Sequence, residues 1–271
     1  MLSLLLPNRQ TQSAEGGIVK RHVDVNCDLG EAPDAPGGWK ASHEPALVSL
    51  ITSANVACGG HAGDTQSMRE VCMAATRHGV RIGAQVSYPD RANFGRVAME
   101  MAPDALAASL DEQFTALAAI ARECDTRVTY IKPHGALYNT VVRRDDHAAV
   151  VVDLAARHAV GLFGMHGSCT QSRAHTAGVS FVCEWFADRA YLTNGGLVAR
   201  SNAGALIVDA DTVRARTLTA LRDGVVQTLD GGAIDTVFDT ICVHSDTPGA
   251  AQLLRAVRDA IVESGATIAN R

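Results

Sequence analysis

Val128-Thr129-Tyr130-Ile131-Lys132-Pro133-His134-Gly135-Ala136-Leu137-Tyr138-Asn139 is the stretch on which the fold turns. A β-branched and aromatic run opens it, as a buried strand requires. Lys132, Pro133 and His134 follow at the strand's end, with Gly135 as a turn. An ammonium and an imidazole where a strand stops suit a site built on the strand ends of an α/β fold. Alone, the same residues also suit an ordinary strand exit with a half-exposed histidine. The other strand ends of the chain carry residues of the same kind, and they tip the choice.

Outward from this stretch, strands are predicted at 22–28, 51–57, 80–86, 127–131, 160–163, 179–183 and 236–243. Helices are predicted at 44–50, 65–78, 104–124, 145–158, 168–177, from a cap at Asp211 to about 229, and 250–264. Asp64 is a natural N-cap and Gly79 a C′ residue for the second of these, and Pro103 stands at the first turn of the third. Strands and helices alternate about seven times, which demands a parallel sheet covered by helices. No GxGxxG follows the first strand, so a dinucleotide fold loses support. Polar groups at nearly every strand exit favour a (β/α) barrel, where all exits converge on one face.

The 271 residues are 47% hydrophobic, enough for a full core. Residues 1–20 read as a loose extension and 21–271 as one barrel domain. The net charge of -5 is interspersed. It offers no basic concentration for nucleic acid or an anionic membrane, and no apolar run is long enough to span a bilayer. The seven cysteines are scattered with no CxxC pair, as small buried hydrophobes of a reducing cytoplasm would be.

The strand exits supply the candidate site. The first carries Asn26 and Asp28, the second Asn55 and His61, the third Gln85. The fourth offers Lys132 and His134, the sixth Glu184 with Asp188 and Arg189 just after, and the last His244 and Asp246. Ionisable groups are costly to bury unless paired or bound to a ligand. Asp28 with His61 reads as half of a divalent-metal site, or as a loop cap and a backbone-bonded histidine. Lys132 and His134 suit an anionic or carbonyl group, or Lys132 forms a structural ion pair with Glu184 or Asp188. Glu184 or Asp188 suits a general base, though Asp188-Arg189 also reads as a salt bridge. His244 and Asp246 read as an imidazole oriented by a carboxylate. No GxSxG elbow and no GxxxxGK[ST] loop is present, so serine hydrolysis and self-contained ATP binding lack support. With aromatic residues at 4%, a small substrate is favoured over a polysaccharide.

The run Val23-Asp24-Val25-Asn26-Cys27-Asp28-Leu29-Gly30-Glu31 resembles the amino-terminal signature of the LamB/YcsF family. The likeness continues through residues 53–64, Asn93-Phe94-Gly95-Arg96, Lys132 to Asn139, Phe186-Ala187-Asp188-Arg189, Leu197-Val198-Ala199-Arg200 and His244-Ser245-Asp246. It implies a seven-stranded, irregular TIM-like (β/α) barrel related to polysaccharide deacetylases. It also implies ATP-coupled opening of the lactam of 5-oxo-L-proline to L-glutamate, with ATP handled by partner subunits B and C. Lys132, His134, Glu184, Asp188 and His61 would then be catalytic. Asn26, Asn55, Gln85, Arg96, Arg189, His244 and Asp246 would bind substrate, and Asp28 with His61 would hold any divalent metal. Alternatives on the same barrel are a metal-dependent deacetylase of a small amide and a non-catalytic partner in an oxoprolinase- or carboxylase-type complex. The chain departs from the family pattern at Gln85, where histidine is usual, at Gly60, where an aromatic residue is usual, at Ser245 in place of glycine, and in an extra loop from Pro33 to Lys40.

Overall fold

In the computed structural model, which describes residues 21–32 and 36–270, side-chain alternation along the first strand sets the character of the interior. Successive side chains of a strand point to opposite faces. Val23, Val25, Cys27 and Leu29 of β1 (His22–Leu29) join the buried apolar core. The intervening Asp24, Asn26 and Asp28 are buried too, and they bond to polar residues of neighbouring strands inside the barrel.

The remaining elements follow as β2 (Ser53–Ala57), α1 (Thr65–His78), β3 (Arg81–Val86), α2 (Pro103–Glu123), β4 (Val128–Pro133), α3 (Gly135–Val141) and α4 (Asp145–Arg157). After them come β5 (Gly161–Met165), α5 (Cys169–Ala177), β6 (Phe181–Phe186), α6 (Ala210–Asp223), the hairpin β7 (Val225–Gln227) and β8 (Ala233–Asp235), β9 (Thr240–Cys242), α7 (Ala250–Glu263) and β10 (Thr267–Ile268). Strands β1 to β6 pair in sequence order, all parallel, and β9 pairs with both β6 and β1. The sheet thus closes as the expected seven-stranded barrel. The short β10 adds to the base of β1.

Most helix boundaries follow their caps. The Asp64 carboxylate accepts from Ser67 N in a capping box, and Gly79 ends α1 in the left-handed conformation. Several expectations need correction. β4 runs on to Pro133, so Lys132 belongs to the strand and not to its exit. β6 likewise runs to Phe186 and holds Glu184 within it. Gly135 opens α3, a helix hidden from the sequence by the neighbouring Pro133 and Gly135. The cap of α6 is Asp209, not Asp211, and Gly224 stops that helix ahead of the hairpin. The last barrel strand covers only Thr240–Cys242 of the expected 236–243, because the chain approaches it straight out of the β7–β8 hairpin. The expected extension over residues 1–20 lies outside the described residues. Among the described residues, no helix is long and apolar enough to cross a membrane.

The interior is a hydrogen-bonded ladder rather than an apolar plug. Low in the barrel, Asp24 accepts from Ser53 Oγ at 2.6 Å and Thr240 Oγ1 at 2.5 Å. Asn26 donates to Thr240 Oγ1, Asn55 donates to Asn26 and to Asp28 Oδ1, and Tyr130 OH donates to Asn55 at 2.7 Å. Buried polar groups are tolerated when every one has a partner, and such networks fix a unique arrangement. Room for the Tyr130 ring, stacked on Phe163 at 3.9 Å, comes from Gly83, whose added Cβ would lie 2.1 Å from Tyr130 Cε2.

Candidate active site

The top of the ladder is an ion cluster at the carboxyl ends of the strands. Lys132 Nζ lies 2.9 Å from Asp28 Oδ1, 3.1 Å from Glu184 Oε1 and 3.2 Å from Cys242 Sγ. All four residues are almost fully buried. Burial alone would push the Asp28 carboxyl up; Lys132, with His244, overrides it and holds Asp28 well below the usual carboxylate range. Burial likewise disfavours the ammonium, and Asp28, Cys242 and Glu184 outweigh it, raising Lys132 well above its ordinary value. The structural ion pair with Glu184 is therefore formed, and Asp28 joins it as a second carboxylate. The three donors of Lys132 meet Asp28, Glu184 and Cys242, and Asn26 Oδ1 stands farther off at 3.4 Å.

Above this cluster opens a cavity of about 410 Å³. Asp28, Lys132, His134, Tyr138, Phe186 and His244 contribute its lower wall, and Arg96, Arg189 and residues 197–201 its upper wall. His244 is not oriented by Asp246. Its Nδ1 lies 3.0 Å from Oδ1 of Asp188, whose Oδ2 accepts from the His244 backbone N–H at 3.0 Å and from Thr247 Oγ1 at 2.6 Å. Burial opposes ionisation of Asp188, but the His244 ring and these hydrogen bonds hold its carboxyl down at about 2. With both oxygens so engaged, Asp188 is not free to take a proton from water. It fixes the His244 tautomer with Nδ1–H toward Asp188 and leaves Nε2 as the basic atom. The ring stacks on Phe186 at 5.2 Å. The expected Asp188–Arg189 salt bridge is not formed, because Arg189 donates instead to Val198 O at 2.6 Å.

Asp246 sits at the rim, where Arg96 Nη2 at 2.5 Å and Arg200 Nη1 at 3.0 Å share its carboxylate. Two residues apart in a loop, His244 and Asp246 face different partners.

A second cluster lies beside the cavity. Glu31 Oε1 is 3.0 Å from His61 Nε2, 2.8 Å from Gln85 Nε2 and 3.3 Å from His134 Nδ1. Gln85 Nε2 also donates to His134 Nδ1 at 2.9 Å, and His134 Nε2 donates to Phe94 O at 3.0 Å. Burial, reinforced by His61, keeps His134 well below the ordinary histidine range, hence neutral. The expected Asp28–His61 pair does not form. Asp28 turns to Lys132 and Asn55, and His61 bonds Glu31 and Ser87. Glu31, His61 and His134 do bring three potential donor atoms within 4.8 Å of one another. Their arrangement does not fit an ion, however. The two imidazoles stack in parallel at 3.7 Å and 5°, and an imidazole lone pair lies in its ring plane, so both cannot aim at one ion about 2.0–2.1 Å away. The Gln85 amide also takes up Glu31 and His134. Where the family usually has histidine, this chain thus has a neutral amide bridging a carboxylate and an imidazole.

Asn26, Asn55, Gln85 and His61 are buried and do not line the cavity; the first two support the site from the barrel interior and the last two from its side. Gly60 does not line the cavity, and a Cβ there would meet Ser87 Oγ and Gln113 Oε1. Ser245 holds the rim through its carbonyl, which accepts from His43 Nε2 at 2.8 Å.

The sequence reading missed Glu31, Glu44, Tyr138 and Arg200. Glu31 and Arg200 stand inside quoted motifs, three residues after Asp28 and at the end of Leu197-Val198-Ala199-Arg200. No signal marked Glu44. It lies in a 3₁₀ turn, accepts from Gly30 N, Glu31 N and Trp39 Nε1, and so holds the loop that presents Glu31. Trp39 belongs to the extra loop, whose residues 33–35 lie outside the described set. Burial, with the Glu31 charge beside it, pushes the Glu44 carboxyl up from 4.5 to about 7 despite these donors. A carboxyl that binds its proton more tightly in the fold than in the unfolded chain loses stability as pH rises from about 4.5 to about 7. Urea midpoints of wild type and Glu44→Gln are therefore expected to diverge against wild type between pH 5 and pH 8. A constant difference would contradict the assignment.

Comparison with known proteins agrees with this architecture. The sequence pattern of the LamB/YcsF family matches residues 23–271. A relative from Streptomyces avermitilis, named as the A subunit of 5-oxoprolinase, is 47% identical over 249 residues, covering 91% of this chain and 98% of the relative. One of the same name from Mycobacterium marinum is 43% identical over 246 residues, covering 90% and 96%. Among solved structures, the lactam utilization protein from Thermus thermophilus superposes with a TM-score of 0.83 at 34% identity, covering 92% of this chain and 99% of that one. A cellobiose-phosphate cleavage protein from Enterococcus faecalis, so named provisionally, shares the fold alone, with a TM-score of 0.55 at 10% identity.

Proposed function

The chain belongs to the LamB/YcsF family, and on that premise we propose that it is the lactam-opening component of an ATP-dependent 5-oxoprolinase that converts 5-oxo-L-proline to L-glutamate. The observation that carries this reading is the His244–Asp188 pair beside the Asp28–Lys132–Glu184 cluster at the base of one cavity. An imidazole held in one tautomer by a carboxylate, with its other nitrogen toward a small cavity, is a general base in position.

An unstrained lactam resists water at neutral pH, and this chain has no phosphate loop. Partner subunits B and C would phosphorylate the lactam oxygen with ATP. Water, losing its proton to His244 Nε2, then adds to the activated carbon. The ring nitrogen departs with a proton, and the acyl phosphate so formed is hydrolysed to carboxylate and phosphate. Asp188 holds the imidazole and steadies its protonated form. Lys132, already flanked by two carboxylates, sets the charge of the cavity floor rather than supplying a free cation for phosphate. The Asp28 carboxylate, which lines the cavity beside it, gives the floor an electronegative face toward the departing nitrogen. The seven cysteines are all free thiols, which supports a reducing compartment such as the cytoplasm.

The test is reconstitution. Subunits B and C with ATP and 5-oxo-L-proline are expected to form glutamate only when this chain is added. Glutamate formed equally well without it would leave the chain a non-catalytic partner.

A further inference from the structure

The cavity is electrically polarised along its depth. Its floor carries the Asp28–Lys132 pair, with the Glu184 carboxyl beneath it against Lys132 and the Asp188 carboxyl behind His244. The upper wall carries the guanidiniums of Arg96, Arg189 and Arg200, and the neighbouring Asp246 carboxylate pairs with the first and the last of them. Arg96 and Arg200 share Asp246, which leaves Arg189 as the guanidinium without an acidic partner within ion-pair distance among the described residues. Arg189 is only 7% exposed, its Nη2 donates to Val198 O, and its buried Nε has no hydrogen-bond partner. A buried cation with an unmet donor, lining a cavity, is costly unless something anionic completes it.

Resting on the lactam-opening function above, we propose that Arg189, assisted by Arg200 at the rim, is a specificity-determining residue that takes the carboxylate of the substrate. 5-Oxo-L-proline carries an anionic carboxylate and a neutral lactam on opposite sides of a small ring. An acidic floor repels the first and tolerates the second. The carboxylate therefore turns to the guanidiniums, whose planar fork matches it, and the lactam turns to His244. The apolar side chains of Leu197, Val198 and Phe186, which also line the cavity, suit the ring's methylenes. Burial and the neighbouring Arg200 bring Arg189 down to about 10, which still leaves it cationic at neutral pH.

The test is calorimetric titration of the full chain with 5-oxo-L-proline and with 2-pyrrolidinone, the same lactam without the carboxylate. Wild type is expected to bind 5-oxo-L-proline at least about tenfold more tightly. Arg189→Gln is expected to lose about 10–100-fold in affinity for 5-oxo-L-proline, the range for one lost charged contact, while 2-pyrrolidinone changes less than about threefold. Arg200→Gln is expected to lose about three- to tenfold. Equal binding of the two lactams by wild type, or an undiminished preference in Arg189→Gln, overturns the subsite. Displacement of 5-oxo-L-proline by inorganic phosphate at lower concentration than by acetate overturns its assignment to a carboxylate. Should Arg189→Gln fail to fold, Arg189→Lys decides: it keeps the charge without the fork, and unchanged affinity would count against the proposal. Binding that depends on Arg189 in a chain that opens no lactam with subunits B and C would sink the function while leaving the subsite standing.

Discussion

His244→Gln is expected to lower glutamate formation by the assembled complex about 10²–10⁴-fold, the usual contribution of a positioned general base. Its KM for 5-oxo-L-proline should stay within about threefold, because the imidazole is asked to act on water and not to bind the lactam. The ring stands between Asp188 and Phe186, with Nδ1 committed to the carboxylate. Glutamine of similar reach keeps a side chain there but has no basic atom to offer. Asp188→Asn should fall between wild type and His244→Gln, since it leaves the base in place but loosens its tautomer and orientation. Thermal melting of both variants separates lost chemistry from lost folding. A His244→Gln complex working within a few-fold of wild type would remove the imidazole from the mechanism.

Lys132→Met is expected to have the largest effect on stability, a loss of about 3–5 kcal/mol by urea unfolding near neutral pH. The reason is the pair of carboxylates left behind. Asp28 and Glu184 are 2% and 3% exposed, and neither has another cation within ion-pair distance among the described residues. A methionine fills the stem's volume but meets no charge. The sign of the pH dependence follows from Asp28. Its carboxyl is held well below the ordinary 3.8 in the fold, so the stability it contributes is complete above that value and drains away as the pH falls through the folded titration. The gap between wild type and Lys132→Met should therefore narrow as the pH falls, because acid neutralises the buried carboxyls that methionine leaves unpaired. The double variant Lys132→Met with Asp28→Asn should recover part of the loss. A single-variant loss below about 1 kcal/mol would mean that the cluster is better hydrated than its burial indicates.

These two predictions concern pairings that the sequence did not display. The barrel itself was legible, because period-two alternation, the Asp64 and Gly79 caps and the repeated strand–helix order are local signals. The residue types of the site were legible too, because ionisable groups stand out in apolar strands. Partnership was not. Asp28 meets Lys132 across 104 positions of sequence through the closure of the barrel, which no local pattern encodes. His244 was assigned to Asp246 because they are neighbours in the chain. The structure gives it to Asp188, brought over from the end of β6 by the β6–β9 pairing. The pairing of Asp28 with His61 failed on the same ground. Asp28 and His61 are on adjacent strand exits, yet the interior ladder claims the first and Glu31 the second. Even Glu184, read as a strand-end base, proves to be one residue layer too deep, because a strand's last residue cannot be placed from sequence to better than a few positions. What sequence supplies is the inventory; closure of the barrel decides who touches whom.

The same closure gives the cavity its opposed charges, so binding and chemistry are expected to separate cleanly by residue: Arg189 in affinity, His244 in turnover.

The most direct test of the hydrolytic role is the ratio of glutamate to ADP produced from 5-oxo-L-proline by complexes carrying either the wild-type chain or His244→Gln. A ratio near one for wild type and far below one for the variant, with ATP still consumed, is expected if partners activate the lactam and this chain delivers water to it. An unchanged ratio at an unchanged rate would show that water is delivered elsewhere.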